Sequence, residues 1–274
     1  MGPVDISENN LYSPKKAHQK NVNASFSISQ LAYHGVYVKL NRKTSNLRLG
    51  LLWLVLNPLI SGLVYLLVIT TLGAERNFLD LVMAIGVFNC LISAAKSGIN
   101  SSSDYTNGIK IFRIDSKTVI FTNLMTRCVE SSSAVISVII IAATLDASNL
   151  LPSFLLIPIV IFWSVLIESV FYNFSGLVAR VPDFGNLFNG LFLFLFFASP
   201  VLYTFDLTSG LHSEITSISP FTVALESCRS VLYGESDLDL ASRKSGLVIL
   251  ATVLLSIRGY STFDRTRWRV STWS

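Results

Sequence analysis

The chain has 274 residues, of which 51% are hydrophobic and only 14% are charged, and its mean hydropathy is +0.56. Soluble globular domains carry about 25% charged residues, so the composition excludes an ordinary soluble domain and predicts one multi-pass membrane domain. The net charge of +4 does not indicate nucleic-acid binding, because the basic residues stand beside apolar runs, as membrane topology signals do.

The N-terminal part of the chain is polar. Residues 1–30 are rich in Asn, Ser, Lys and Pro, which predicts disorder, and they lack the apolar core of a signal peptide. Residues 31–48 mix Leu, Val and Tyr with cations, which predicts an amphipathic helix in the membrane interface. A plain positively charged flank of the first span is the alternative.

Six apolar segments follow, each compared with the ~20 residues that an α-helix needs to cross a bilayer. The predicted spans are 49–71, 79–98, 119–144, 153–177, 187–205 and 242–260. The sixth is the weakest, since its uninterrupted apolar core, 246–257, covers only 12 residues. The predicted fold class is therefore an all-α membrane protein with six transmembrane helices, followed by a cytosolic tail, 263–274.

The distribution of cations predicts the orientation. Six crossings put both termini on the same side. Only four of the 21 Lys and Arg residues lie on the predicted outer side, in the outer segments or at the outer end of the sixth span: Arg76, Arg229, Arg243 and Lys244. Cytoplasmic loops carry the excess of Lys and Arg, so both termini are predicted to be cytosolic. The longest outer connection, 206–241, contains apolar residues at helical spacing, which predicts a short external re-entrant helix pair.

Motifs for chemistry are almost absent from the sequence. There is no GxxxxGK[ST], GxGxxG, HExxH or GxSxG pattern, and the histidines and cysteines are scattered. We therefore expect no catalytic, cofactor or metal site in this chain. The exception is Asp237-Leu238-Asp239, which resembles the DxD of metal-dependent glycosyltransferases, although two acids in a polar loop are common by chance.

Ionisable residues inside the predicted spans carry more information, because each is costly in the bilayer. Arg127 and Glu130 lie two to three turns into the third span, and Glu168 lies within the fourth. Since antiparallel neighbours would bring Arg127 and Glu168 to similar depths, we expect them to pair. The pair is either structural or in contact with substrate.

Aromatic residues crowd the fourth and fifth spans. Phe184, Phe188, Phe192 and Phe196 recur every four residues, which puts them on one face of a helix. Contact with lipid is one interpretation of this stripe. The other is a path for a glycan, because the C–H faces of sugars stack on aromatic rings.

Several segments occur in a recognisable order along the chain. They are NRKTSNLRLGLLWLVLNPLI, ARVPDFGNLFNG, ASPVLY, SPFTVALESCRSVLYGE and FDRTRWRVSTWS. From about residue 31 to its end, the chain thereby resembles the ABC-2-type (type V) permeases of polysaccharide exporters, the membrane subunits that export O-antigen, teichoic acid or galactan.

The resemblance implies a homodimer of six-helix subunits, docked on two copies of a separate ATPase subunit that holds ATP and Mg. It also implies an ATPase-coupling helix at the first inner loop, formed by Lys110, Ile111, Phe112 and Arg113. Two features depart from the family pattern: AIGVFNCLISA has no Trp, and Arg113-Ile114-Asp115 replaces an aromatic-Pro pair. Both departures concern the local geometry of coupling.

The resulting hypothesis is a permease that exports a lipid-linked cell-envelope polysaccharide across a bacterial plasma membrane. Arg42, Lys43 and Arg48 would attract the phosphate of the lipid carrier at the inner leaflet, and membrane lipid would surround the spans. The alternatives are an ABC-2 exporter of a small molecule such as a drug or haem, a membrane glycosyltransferase or ligase, and a passive channel.

Overall fold

A computed structural model describes residues 28–44, 50–71, 73, 77–112, 116–145, 147–181, 183–234, 236 and 238–270. Their regular secondary structure is entirely helical, which confirms the all-α prediction. The helices are α1 Ile28–Thr44, α2 Trp53–Thr71, α3 Phe78–Phe112, α4 Ser116–Leu145, α5 Leu150–Arg180, α6 Asp183–Ala198, α7 Gly210–Ile218, α8 Pro220–Tyr233 and α9 Arg243–Val270.

Five of the described helices are long and apolar enough to cross a membrane. Their candidate spans are Trp53–Thr71, Phe78–Asp104, Lys117–Leu145, Leu150–Arg180 and Arg243–Arg265. They correspond to the first four predicted spans and to the sixth, which is 23 residues long in the structure although its sequence signal was weak. The chain therefore has the helices of a multi-pass membrane protein.

The predicted fifth span, 187–205, needs a correction. The helix α6 begins earlier, at Asp183, and ends at Ala198 after 16 residues, a length of about 24 Å. It stops because Pro200 follows: the residue before a proline is disfavoured in the helical region, and the proline has no N–H to continue the ladder. Val201 lies beyond the helix in a turn and is buried.

The core is built around α3. The ten residues 79–88 are all buried, and α3 contacts α2, α4, α5 and α8. Its contact with α5 brings the two backbones together at Gly98, where a Cβ would lie 2.5 Å from the carbonyl oxygen of Glu168. Small residues at such crossings let membrane helices approach closely.

Contacts at one end of the bundle join α1, α4, α5 and α9. Lys39 Nζ donates to Asn123 Oδ1 at 2.6 Å, Asn123 Nδ2 donates to the Tyr172 hydroxyl at 3.1 Å, and Tyr172 stacks on Phe263 at 5.2 Å between ring centroids. We call this end, defined by those four residues, the α1 end. The helix α1 and the C-terminal part of α9 therefore lie at the same end of the bundle.

The helix predicted for residues 31–48 corresponds in part to α1, which runs from Ile28 to Thr44, while 45–48 lie outside the described residues. Its location in the membrane interface stays a prediction. The helix α1 packs against α4, with Ala32 and Leu40 buried and with Tyr33 and Tyr37 exposed. The predicted apolar side is therefore divided, because only part of it contacts the protein. The exposed tyrosines are of the type that lies at membrane interfaces.

The glycine at position 259 supplies the first testable prediction. In α9, Gly259 lies directly against the carbonyl oxygen of Ser169 in α5, so that a Cβ would overlap it. Gly259→Ala should therefore push α9 from α5 and destabilise the protein by about 1–3 kcal/mol. Thermal unfolding in detergent measures the effect. The control is Gly246→Ala, also in α9, where a Cβ meets nothing within 4 Å; equal losses in both variants would refute the packing argument.

Candidate functional site: two buried ionic clusters and a polar cavity

Arg127 is the centre of the first buried ionic cluster. Its Nη1 lies 2.7 Å from Glu130 Oε2, one turn along α4, and its Nε lies 3.3 Å from Glu168 Oε2 in α5. Ser93 of α3 accepts from Arg127 Nη1 at 3.2 Å and donates to Glu130 Oε2 at 2.8 Å. Arg127 and Glu168 thus lie together as the sequence predicted, but the shorter contact of the arginine is with Glu130.

This Arg127 cluster contains two acidic side chains and one basic side chain. One guanidinium faces two carboxylates, and all three side chains are almost completely buried. Among the described residues, Glu168 Oε1 accepts no hydrogen bond. Such a cluster is held by the attraction of the arginine for both acids, because an ionised group without a partner is very costly at this depth. It therefore fastens α3, α4 and α5 to one another.

A second buried ionic cluster has Arg229 at its centre. Its Nε donates to Asp80 Oδ1 at 3.0 Å, its Nη1 to Glu226 Oε1 at 2.5 Å, and its Nη2 to the carbonyl oxygen of Pro200 at 2.7 Å. Burial lowers the pKa of Arg229, but Asp80 and Glu226 outweigh it and raise that pKa above its ordinary value, so the guanidinium stays charged. The cluster therefore joins α8 to the start of α3 and to the turn that follows α6.

The sequence did not predict the Arg229 cluster. Glu226 and Arg229 lay in the predicted outer connection 206–241, whereas Asp80 and Pro200 lay near the outer ends of two predicted spans. The spacing of Glu226 and Arg229, three apart in a helical pattern, was the available signal for a pair. Asp80 is 149 residues from Arg229, and their contact depends on how α8 folds back against α3. We call this end of the bundle, defined by Asp80, Pro200 and Arg229, the α8 end.

The helix pair predicted in the 206–241 connection is present as α7 and α8. The α8 helix packs against α3, α5 and α9, and nine of its 14 residues are buried. The turns around the pair contain Pro200, Ser219-Pro220 and Gly234. The helix α8 ends at Gly234, which adopts the left-handed conformation with a φ of 78°. The α8 helix is therefore part of the core, whereas α7 has one buried residue, Thr216, and lies on the surface of the bundle.

The aromatic stripe on α6 packs within its own chain. Phe188 and Phe192 are buried, and each contacts Phe171 of α5, at 6.0 and 5.6 Å between ring centroids. Phe184 is partly buried, and Phe196 lies 5.4 Å from Phe88 of α3. The common face was predicted correctly, but it is turned toward α3 and α5 in this structure. Its role in lining a glycan path stays a prediction.

A polar cavity of about 170 Å³ lies between α2, α3 and α4. Its polar walls come from Trp53, Asn57, Asn89, Ser93, Glu130 and Ser133. The rest of the wall is formed by Leu54, Pro58, Gly86, Cys90 and Ala134, so more of the cavity surface is apolar than polar. Because Ser93 and Glu130 also belong to the Arg127 cluster, the cavity reaches that cluster from the side of α2.

The remaining predicted residues lie partly outside the part of the chain that the structure describes. Arg48, Arg113 and Asp237 fall outside the described residues, while Arg42 and Lys43 are placed only as backbone in the last turn of α1. Lys110, Ile111 and Phe112 are placed only as backbone at the end of α3.

Two further sequence features can be located. Asp239 is described, and its Oδ1 accepts the backbone N–H of Ala241 at 3.0 Å, so this acid caps a turn. Cys90, Cys128 and Cys228 are free thiols, two of them buried.

No family model matches the chain, and no curated protein matches it significantly. The class of protein therefore rests on the fold and on the two clusters. Five long apolar helices and buried ionic clusters between them define a helical, multi-pass membrane protein.

Proposed function

We propose that this chain is the membrane permease subunit of an ABC transporter that exports a lipid-linked cell-envelope polysaccharide. The observation that carries the proposal is the buried helix α8, which the Arg229 cluster fastens to the start of α3 and to the turn after α6. A permease needs a closed outer mouth, and a helix folded back into the bundle at one end supplies one. Its place in the chain agrees with the resemblance to ABC-2-type permeases.

The contacts of α6 support a sixth crossing despite its short length. Phe188 lies against Phe174 of α5 and Phe192 against Phe171, so α6 runs antiparallel to α5. Its last residues reach the α8 end, where the carbonyl oxygen of Pro200 accepts from Arg229. The helix and its turn together thus cover the distance between the two ends of the bundle. Six crossings return the chain to the side on which it began.

Six crossings agree with the observation that α1 and the C-terminal part of α9 both lie at the α1 end. With an even number of crossings, the excess of Lys and Arg puts the α1 end in the cytosol and the α8 end outside. The plasma membrane of a bacterium is the location that this function requires. Two copies of the chain would form the homodimer.

The energy for export comes from another polypeptide. The sequence has no phosphate-binding loop, so ATP and Mg would be bound by a nucleotide-binding ATPase subunit, present in two copies. That subunit would dock at the cytosolic end of α3, where Lys110, Ile111, Phe112 and Arg113 form the coupling segment.

The substrate would approach from the inner leaflet. Arg42 and Lys43 lie in the last turn of α1, and Arg48 lies between α1 and the first span. Cations at the inner leaflet attract an anionic headgroup at about 1 kcal/mol each. A glycan could contact Phe188 and Phe192 only after α6 had separated from α5, since both rings are buried against Phe171. Glycan contact with the stripe therefore belongs to an open state of the transporter.

Gentle purification in lipid nanodiscs tests the proposal. We expect a stoichiometric ATPase subunit with a phosphate-binding loop, and reconstitution of both should move a labelled lipid-linked glycan across proteoliposomes with ATP. Phe112→Asp should release the ATPase, whereas Lys117→Gln, an exposed change at the start of α4, should not.

Other outcomes would point to the alternatives. ATPase stimulation by small amphiphiles alone would indicate a small-molecule exporter. Glycan product formation lost in Asp237→Ala and Asp239→Ala would indicate a transferase or ligase, and conductance without any ATPase would indicate a channel.

A further inference from the structure

The helix α3 carries a polar stripe on an otherwise buried surface. Asn89, Ser93, Lys96 and Asn100 follow the spacing i, i+4, i+7 and i+11, which places them on one face. Asn89, Lys96 and Asn100 are exposed although the preceding residues 79–88 are all buried. We call these four residues the α3 polar stripe.

Exposure of this stripe needs a polar neighbour. An amide facing hydrocarbon loses its hydrogen bonds, and a lysine within a span is costly. Lys96 Nζ lies 5.9 Å above the ring of Phe192 in α6 and forms no ion pair with any described residue. An aromatic face beneath an ammonium group leaves its N–H donors available to an anion.

The polar cavity continues the stripe toward α2 and α4. Asn89 and Ser93 belong to both, and across from them stand Trp53 and Asn57 of α2. Asn57 is itself exposed in the second turn of the apolar helix α2. Glu130 supplies a carboxylate whose position is fixed by Arg127 at 2.7 Å and by Ser93 at 2.8 Å. Because Arg127 and Ser93 already contact that carboxylate, it suits a hydroxyl donor better than a free cation.

We infer that the cavity and Lys96 together bind the sugar–phosphate junction of a lipid-linked glycan. The indole of Trp53 offers a flat face to the C–H groups of a sugar, while amides, hydroxyls and a fixed carboxylate match its hydroxyl groups. The volume of about 170 Å³ is below the roughly 300–1,000 Å³ of drug-sized sites, and it fits one ring rather than a chain.

The position of Lys96 suits the phosphate half of this ligand. It lies two turns, about 10 Å along α3, from Asn89, on the side of the α1 end. An ammonium group binds phosphate oxygens by charge-assisted hydrogen bonds. A lipid carrier in the inner leaflet would thus place its phosphate at Lys96 and its first sugar in the cavity.

This inference rests on the proposed function for its substrate class, but it can be tested on the chain alone. The full-length protein in nanodiscs of zwitterionic lipid is titrated with tritiated prenyl diphosphates. Three carry one hexose, one N-acetylhexosamine or one deoxyhexose, and the fourth carries no sugar. Binding is compared for wild type, Lys96→Gln, Lys96→Arg, Asn89→Leu and the exposed control Lys117→Gln.

We expect at least one sugar-bearing probe to bind more tightly than the sugar-free one. Lys96→Gln should weaken both kinds about tenfold, the loss of one charge-assisted contact, and Lys96→Arg should retain most of the affinity. Asn89→Leu should weaken only the sugar-bearing probe, and Lys117→Gln should bind as wild type does.

Three results would overturn the inference. The first is wild-type affinity in Lys96→Gln, and the second is equal binding of all four probes by the wild type. The third is a spontaneous disulfide between two copies of Asn89→Cys, in a background without Cys90, Cys128 and Cys228, since the stripe would then be covered by a second copy. If the probes bind as expected but no ATPase subunit accompanies the chain, the proposed function fails and the binding site stands.

Discussion

Replacing Arg127 by glutamine should destabilise the protein by about 3–5 kcal/mol, the range observed when one partner of a buried ion pair is removed. The variant leaves Glu130 and Glu168, both buried, without the guanidinium that now lies 2.7 and 3.3 Å from them. Two like charges would then repel each other where water cannot screen them. Glu168→Gln should be much milder, because it leaves Arg127 paired with Glu130 in a neutral cluster.

Thermal unfolding in detergent measures both variants. A double-mutant cycle of Arg127→Gln with Glu168→Gln should give a coupling free energy of about 0.5–3 kcal/mol. Arg258→Gln is the control, since Arg258 is an exposed cation in α9 and should unfold as the wild type does. Independent, small and additive effects of the two changes would mean that the Arg127 cluster does not hold the bundle together.

The Arg127–Glu168 contact was predictable because depth in a membrane is a one-dimensional coordinate. Counting residues along two antiparallel helices brings their charges to one level, and a costly charge at that level requires a partner. The contact with Glu130 was visible in the same spacing, three residues apart on one helix. Counting residues does not give the distance between Arg127 and Glu168. That distance depends on how closely the helices pack, as α3 and α5 do at Gly98.

The rotation of a helix about its axis was harder to predict. The stripe from Phe184 to Phe196 defines a face, but phenylalanine suits lipid, protein core and a glycan path equally well. Its direction was decided by the neighbours Phe88 and Phe171 on other helices. Hydropathy alone also extended the predicted fifth span beyond Pro200, because most of the residues that follow the proline are apolar. One of them, Val201, is buried although it lies outside the helix.

Arg229→Met should release α8 from the α8 end and should destabilise the protein by about 3–5 kcal/mol. Asp80 and Glu226 would remain buried without their cation, and the carbonyl oxygen of Pro200 would lose its donor. The control is Arg243→Met, an exposed cation at the start of α9. Adding Asp80→Asn and Glu226→Gln to Arg229→Met should recover part of the loss, since no buried charge then remains.

The neighbouring Cys228 reports release of α8 directly. Burial raises the pKa of the Cys228 thiol to about 12, so at pH 8.5 it is protonated as well as inaccessible and should resist maleimide. When α8 separates from the core, water reaches the thiol and its pKa falls toward the ordinary value of about 8.5, so that roughly half becomes the reactive thiolate at that pH. We therefore expect Arg229→Met to label much faster at Cys228 than the wild type and Arg243→Met do, with Cys90 and Cys128 replaced by alanine in all three. If Cys228 stays unlabelled in Arg229→Met and the melting temperature is unchanged, the Arg229 cluster does not hold α8 in place. Other contacts would then have to keep α8 at the proposed outer mouth.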